Sequence, residues 1–502
     1  MSNQSAISVL QSRKLDKAIT IFMVPFYYES GKWQEIQTKL KRWQPASEEV
    51  YNEDGVLYPY IIDLFKQKGE SQNPRLKILE FNSIDQGINS NLFIDRILGK
   101  VNYIVLGKNT IGKQNPDIIS FKLCNKKNYA PHLFISPIAN IGILTFSVEL
   151  IGNNITMLDL TKFNYYCNKR NFFNSYQCVC FRLDKPKDNQ MVIDMQVINS
   201  QIPDFWKQSQ HSTRKNVEYL CWNFDDFVNF LLGTIGKTQE GQNHIKYFSR
   251  NNMHLFTFLS IPDEKDEVKK EDLHKDLLTL SRCEITNHML PYNQLIQDGA
   301  VMRTFENILF ASSFEGTAMA CIGKEYNVAS IKNLHNNFSH QYLLIYMLAL
   351  IQRYTLLSIE FKITDIKSQK KLNDKSLWEH IDIISRIKMD CYYTDVSIHT
   401  QHSQFYQHCC RNLAIPETFR EVGEKIELLR LMTARNVEHR QRILSFIVAI
   451  LTIAQVMQAA YELIKPRPYY DDPALKWSLI IGVVCAIILV VLMRKDVFKS
   501  KR

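Results

Sequence analysis

Two apolar runs, Ile443–Ile464 and Trp477–Met493, constrain this chain more than any other feature. A polar hairpin, KPRPYYDDPALK, separates them. As helices they would be about 33 Å and about 26 Å long, enough to cross a hydrocarbon core of about 30 Å, the second near the lower limit. Arg435, Arg440 and Arg442 precede the first run, and Arg494, Lys495, Lys499, Lys501 and Arg502 follow the second. Lys and Arg beside a span tend to stay cytoplasmic. The pattern therefore predicts a multi-pass membrane protein with both termini in the cytoplasm and the hairpin outside. Tyr461, Tyr469, Tyr470 and Trp477 cluster at that outer end, where amphipathic rings favour the headgroup zone.

The rest of the chain would form a large head. Ala18–Tyr28 follows three basic residues, as a secretory signal does, but Pro25 interrupts it and no small-residue cleavage site follows. It reads as a core strand. Further strand-like runs are Leu76–Phe81, Tyr103–Leu106, Leu133–Pro137, Ile141–Leu150, Gln177–Leu183 and Leu255–Ile261, with helical patches at Phe224–Leu232 and Leu273–Leu280. Residues 1–335 thus read as an α/β cytoplasmic domain. Residues 336–442 read as a long helical stalk, from three segments: Asn336–Ile363, Leu377–Arg411 and Pro416–Ile464. The last has no breaker before the membrane, and Phe419, Val422, Ile426 and Leu429 make an apolar seam along it.

The first run is amphipathic. At about 100° per residue, Ser445, Thr452, Gln455, Gln458, Ala459 and Glu462 fall in one sector, with Ile443, Ile447, Ile450 and Met457 opposite. Polar stripes in lipid face a pore or another helix. The second run is plainly apolar and suits an outer, lipid-facing helix. One helix of each kind cannot enclose a channel, so the pattern predicts a homo-oligomer with the first spans inside.

Other motifs carry less. Gly233–Thr238 ends like a phosphate loop, but Leu231 stands where its first glycine belongs, and Gly316…Gly323-Lys324 has the wrong spacing. His399, His402, His408 and Cys409 crowd one segment without completing a zinc ligand set. No nucleophile–base or metalloprotease spacing stands out, and the expectation is a protein that is not an enzyme. Eleven scattered cysteines without a CxxC pair read as reduced thiols. The net charge of +10 owes much to the juxtamembrane basic residues and calls for no direct nucleic-acid binding.

A large α/β head, long stalk helices, a stalk running into the first span, a short outer hairpin and a basic tail together resemble the CorA-type divalent-cation transporters. Pro473-Ala474-Leu475-Lys476-Trp477, after Asp471 and Asp472, is similar to the Pro-Glu-Leu-Lys/Arg-Trp run of that family's outer loop. The resemblance is best over residues 416–502. It implies a funnel-shaped homopentamer in a bacterial inner membrane, with no fixed cofactor and room for a divalent cation such as magnesium whose ligands the sequence does not name. Where the family has Tyr-Gly-Met-Asn, this chain has Tyr461, Glu462, Leu463 and Ile464, and Ala474 replaces the loop acid. Magnesium selectivity therefore does not carry over. Divergent CorA-like proteins occur among antiviral systems associated with type III CRISPR, in which the head receives a nucleotide signal. The expected function is a CorA-like ion channel or pore gated by a small, nucleotide-like cytoplasmic ligand. The alternatives are a magnesium-type transporter and a membrane-anchored binding or enzymatic module.

Overall fold

The computed structural model describes residues 13–29, 36, 43–46, 56–65, 76–81, 101–106, 117–124, 130–168, 177–184, 217–222, 228, 231–232, 245–249, 252–262, 270–284, 299–305, 307–323, 337–368, 381–382, 384–389 and 392–464. They divide into two compact units, one within residues 1–359 and 387–419, the other within 360–386 and 420–502.

The first unit is a mixed α/β sheet domain. Its strands among the described residues are β1 (Lys17–Tyr28), β2 (Trp43–Pro45), β3 (Lys77–Phe81), β4 (Val101–Leu106), β5 (Asp117–Leu123), β6 (His132–Ser136), β7 (Ile141–Leu150), β8 (Gln177–Asp184), β9 (Val217–Trp222), β10 (Ile245–Tyr247), β11 (His254–Ile261), β12 (Val301–Phe305), β13 (Ile308–Ser312) and β14 (Gly316–Ile322). They join in one sheet of order β12-β13-β14-β11-β1-β7-β5-β4-β8-β9, with β10 beside β1 and a branch β2-β3-β6 leaving β7. Every pairing is antiparallel except β11 with β14. That parallel pair requires a crossover, and it contains helix α2 (Lys270–Arg282), which packs on β13 and β14.

Strand β1 is apolar on both faces because both are covered. On one face lie α2 and α1 (Met157–Asn168). There Phe22 stacks on Phe146 at 5.2 Å and meets Phe163 edge-on at 6.1 Å. Several buried polar groups on this face find partners. The Thr20 hydroxyl donates to Asn164 Oδ1 at 2.8 Å, and Asn164 Nδ2 donates to Thr257 at 3.0 Å. Arg13 pairs with Asp276 at 2.5 Å. Burial still raises the Asp276 carboxyl to about 6, against the pull of Arg13.

On the other face, helix α3 (Leu343–Ser368) follows a π-turn at Phe338–Tyr342. Phe256 and Phe258 of β11 pack under Phe338 at 4.3 and 5.2 Å, and Phe256 also meets Tyr346. Helix α4 (Thr400–Asn412) completes this layer through Phe405, which packs on Phe310 at 4.7 Å and on Tyr342 at 5.2 Å. The segment read as the first stalk helix is therefore, up to Ile359, a core element of the sheet domain. Leu377–Arg411, read as one helix, is interrupted. Residues 384–389 are helical, residues 392–398 are not, and α4 begins at Thr400. Asp395 breaks the helix there, accepting backbone N–H bonds from Val396 and Ser397 on its own carboxylate.

Helix α5 (Ile415–Ile464) is continuous over 50 residues, about 75 Å at the α-helical rise. Pro416 sits in its first turn, where a missing N–H does no harm. Ala414, just before it, has φ of +50°, and this turns the chain sharply from α4 into α5.

Candidate functional site

Helix α5 changes character along its length. In the first unit, Phe419 stacks on Tyr392 at 3.8 Å and carries Lys388 over its other contacts, 4.0 Å from the ring centre. In the second unit, Val422, Ile426 and Leu429 are buried, as the seam in the sequence predicts. Lys425 there bonds Glu360 and, at 2.6 Å, Glu421, and Arg430 donates to Ser385 at 3.0 Å. From Leu431 onward the described side chains are exposed or half-buried. Leu444, Ile447, Val448, Ile450, Leu451 and Val456 are all exposed, between 41% and 66%. At about 100° per residue Leu444, Ile447, Val448 and Leu451 share an arc of about 100°, and Ile450 and Val456 lie outside it.

All six residues of the predicted polar sector lie on α5. Ser445, Thr452, Gln455 and Ala459 are exposed, and the Thr452 hydroxyl donates to the Val448 carbonyl at 2.8 Å. The flanking Arg435, Arg440 and Arg442 are on the same helix, with Arg435 and Arg442 exposed. The hairpin residues Asp471, Asp472, Pro473, Leu475, Lys476 and Trp477, the second run and the basic Arg494 and Lys495 fall outside the described residues.

Among the described residues, one helical stretch is long and apolar enough to cross a membrane, Phe338–Thr364; Gln441–Ile453 is a shorter apolar one. The former is almost entirely buried, and its apolar side chains meet the sheet. Composition alone does not separate a span from a core helix. Burial separates these two: Phe338–Thr364 is covered, whereas the described apolar side chains of Gln441–Ile453 are half-exposed to exposed.

Of the histidines read as weak metal candidates, His402 and His408 are buried and His399 is exposed. The rings of His399 and His402 lie 5.7 Å apart, and His402 meets Tyr342 edge-on at 4.9 Å. Burial first, then the neighbouring His399, lowers His402 to about 4. His408 Nδ1 faces Asn412 Nδ2 at 3.4 Å while its Nε2 has no partner, and burial likewise lowers it to about 4. Cys409 is fully buried and its thiol is raised well above the usual range. No group of three or more metal-ligating side chains occurs among the described residues. Gly316 opens strand β14 rather than a phosphate loop, because a side chain there would run into the Leu255 carbonyl oxygen, 2.5 Å from the Cβ position.

Sequence reasoning missed a cluster on the α3-facing side of the sheet. His254 of β11 hydrogen-bonds the Tyr354 hydroxyl of α3 through Nε2, while its Nδ1 is buried without a partner. Phe248 packs on Tyr354 at 4.6 Å. The adjacent Arg353 lies 5.5 Å from the Phe314 ring centre and donates to the Thr418 hydroxyl of α5 at 2.5 Å. The two hydrogen-bonded pairs lie 100 and 65 positions apart, and no local pattern links them. No family model matches the chain, and no curated protein is significantly similar to it.

Proposed function

We propose that this chain is the subunit of a CorA-like ion-conducting membrane pore, gated by a small ligand bound to a cytoplasmic head. The observation that carries the reading is the exposed apolar end of α5. Its six large apolar side chains are about half exposed, so burying the rest would gain roughly 5–10 kcal/mol in all. A sum of that order rivals the whole stability of an ordinary domain. On this reading the end of α5 is the first of two spans, Trp477–Met493 is the second, and residues upstream of the membrane form the stalk.

The polar sector supports a pore rather than a simple anchor. Thr452 satisfies its own hydroxyl on the Val448 carbonyl, which lowers its cost in lipid. Gln455 and Glu462 have no such local solution in their residue types. Turning the sector inward in a ring of subunits, five on the family resemblance, places it on water. The nucleotide-like ligand also comes from that resemblance. Liposomes containing the chain should conduct ions. The triple variant Ser445→Leu/Thr452→Leu/Gln455→Leu should still insert but conduct poorly. Undiminished flux through that variant would sink the pore.

A further inference from the structure

We propose that His254, Arg353 and Thr418 form a proton-sensitive latch that holds the first turn of α5 to the sheet domain and releases it on acidification. The proposal goes beyond the pore reading, since all three residues lie within the first unit and the latch needs no membrane.

The geometry is a relay of three elements. His254 opens β11, in register with Met23 of β1, and faces α3. Tyr354 and Arg353 of α3 are its neighbours there. Tyr354 occupies Nε2, and Nδ1 has no acceptor near it. Arg353 is the charged group that acts on the ring, and it is a cation. On the β14 side, Glu315 offers its backbone carbonyl to the Leu255 N–H. Among the described residues no carboxylate is hydrogen-bonded to the His254 ring. Arg353 in turn donates to Thr418, one turn into α5. Thr418 also donates its hydroxyl to Ala414 at 2.7 Å, across the sharp joint between α4 and α5.

A proton added to His254 would place a second positive charge beside the half-buried Arg353. The ring cannot move far, being a strand residue under α3. The guanidinium sits at the rim over the half-exposed Phe314 and is the part able to swing outward. Swinging out breaks its bond to Thr418 and leaves the α4–α5 joint with one tie fewer. Burial, then Arg353, lowers His254 from 6.5 to about 4 in the closed state. If opening restores the ordinary value of about 6.5, the opening equilibrium rises about 30-fold between pH 7.5 and pH 5.0.

Hydrogen exchange on the full chain at pH 7.5 and 5.0, corrected for the intrinsic pH dependence of exchange, reads this directly. Amides of residues 418–424 should open about 30-fold more often at pH 5.0, while α1 and α2 keep their protection. His254→Gln should abolish the rise. Thr418→Val should give the faster exchange at both pH values. No rise in the parent chain, or the same rise in His254→Gln, overturns the latch. Should His254→Gln not fold, NMR titration of the His254 ring decides: its midpoint must move up from about 4 in Arg353→Met, and an unchanged midpoint overturns the proposal.

Discussion

Gly142→Ala tests the packing of the sheet at its most crowded point. Gly142 lies in β7 between two in-register neighbours, Phe26 of β1 and Ile135 of β6. A methyl at that position would come within 2.7 Å of Phe26 Cε2 and 2.8 Å of Ile135 Cδ1. Both side chains are buried in the main core and have little room to retreat. Overpacking of this kind costs about 1–3 kcal/mol. The restriction of the unfolded chain returns only about 0.4–1 kcal/mol. A net loss of about 1–2 kcal/mol is therefore expected in urea denaturation followed by tryptophan fluorescence. Gly152→Ala is the control. Its methyl would stand at 3.5 Å from Ile155, an ordinary contact, so that variant should be neutral or slightly stabilised. Ile135→Val removes one of the clashing atoms and costs about 0.5–1.5 kcal/mol alone. Combined with Gly142→Ala it should cost less than the sum of the two, by about 1 kcal/mol. Additive losses, or a Gly142→Ala variant as stable as its parent, would refute the packing argument.

Three further outcomes follow from single features. Ala414→Gly relieves a left-handed backbone and should raise stability by about 0.5–1 kcal/mol in the same denaturation assay. Asp276→Asn leaves Arg13 buried without its counter-ion and should cost about 3–5 kcal/mol, whereas Arg13→Met combined with Asp276→Leu should recover most of that. Glu462→Gln should change the ratio of magnesium, potassium and chloride flux through reconstituted pores more than it changes assembly, because a ring of carboxylates focuses cations.

The sheet was legible where strands are long and built of branched or aromatic residues. The runs at Ile19–Tyr28, Leu76–Phe81, Ile141–Leu150 and Leu255–Ile261 became β1, β3, β7 and β11 almost residue for residue. Strand β14 was missed because its sequence, GTAMACI, is mostly small residues. Small residues suit it because it lies between β11 and β13, whose aromatic side chains fill the space above it. Helix α1 was missed although it announces itself. Thr156 caps the Asp159 N–H at 3.2 Å, and the Asp159 carboxylate returns to the Thr156 N–H at 3.0 Å. That reciprocal pair is readable as Thr-x-x-Asp before an apolar stretch.

Helix α3 shows the opposite limit. Its continuous apolar composition reads equally as a stalk, a span or a core helix, and only the aromatic residues of β11 and β13 decide which. The seam Val422, Ile426 and Leu429 was legible because helical spacing is local information. The His254, Arg353 and Thr418 cluster was not, because its members meet only after β11, α3 and α5 have packed.

Cysteine labelling in sealed vesicles tests the central proposal most directly. Single cysteines are placed at Ser445, Thr452 and Gln455, and separately at Ile443, Ile447 and Ile450. Each is exposed to a membrane-impermeant thiol reagent, with the parent chain as background. The pore account predicts labelling at the first three positions and protection at the second three. Equal labelling of both sets would mean that α5 lies in water, and labelling of the isoleucine face alone would mean that the polar sector does not line the path.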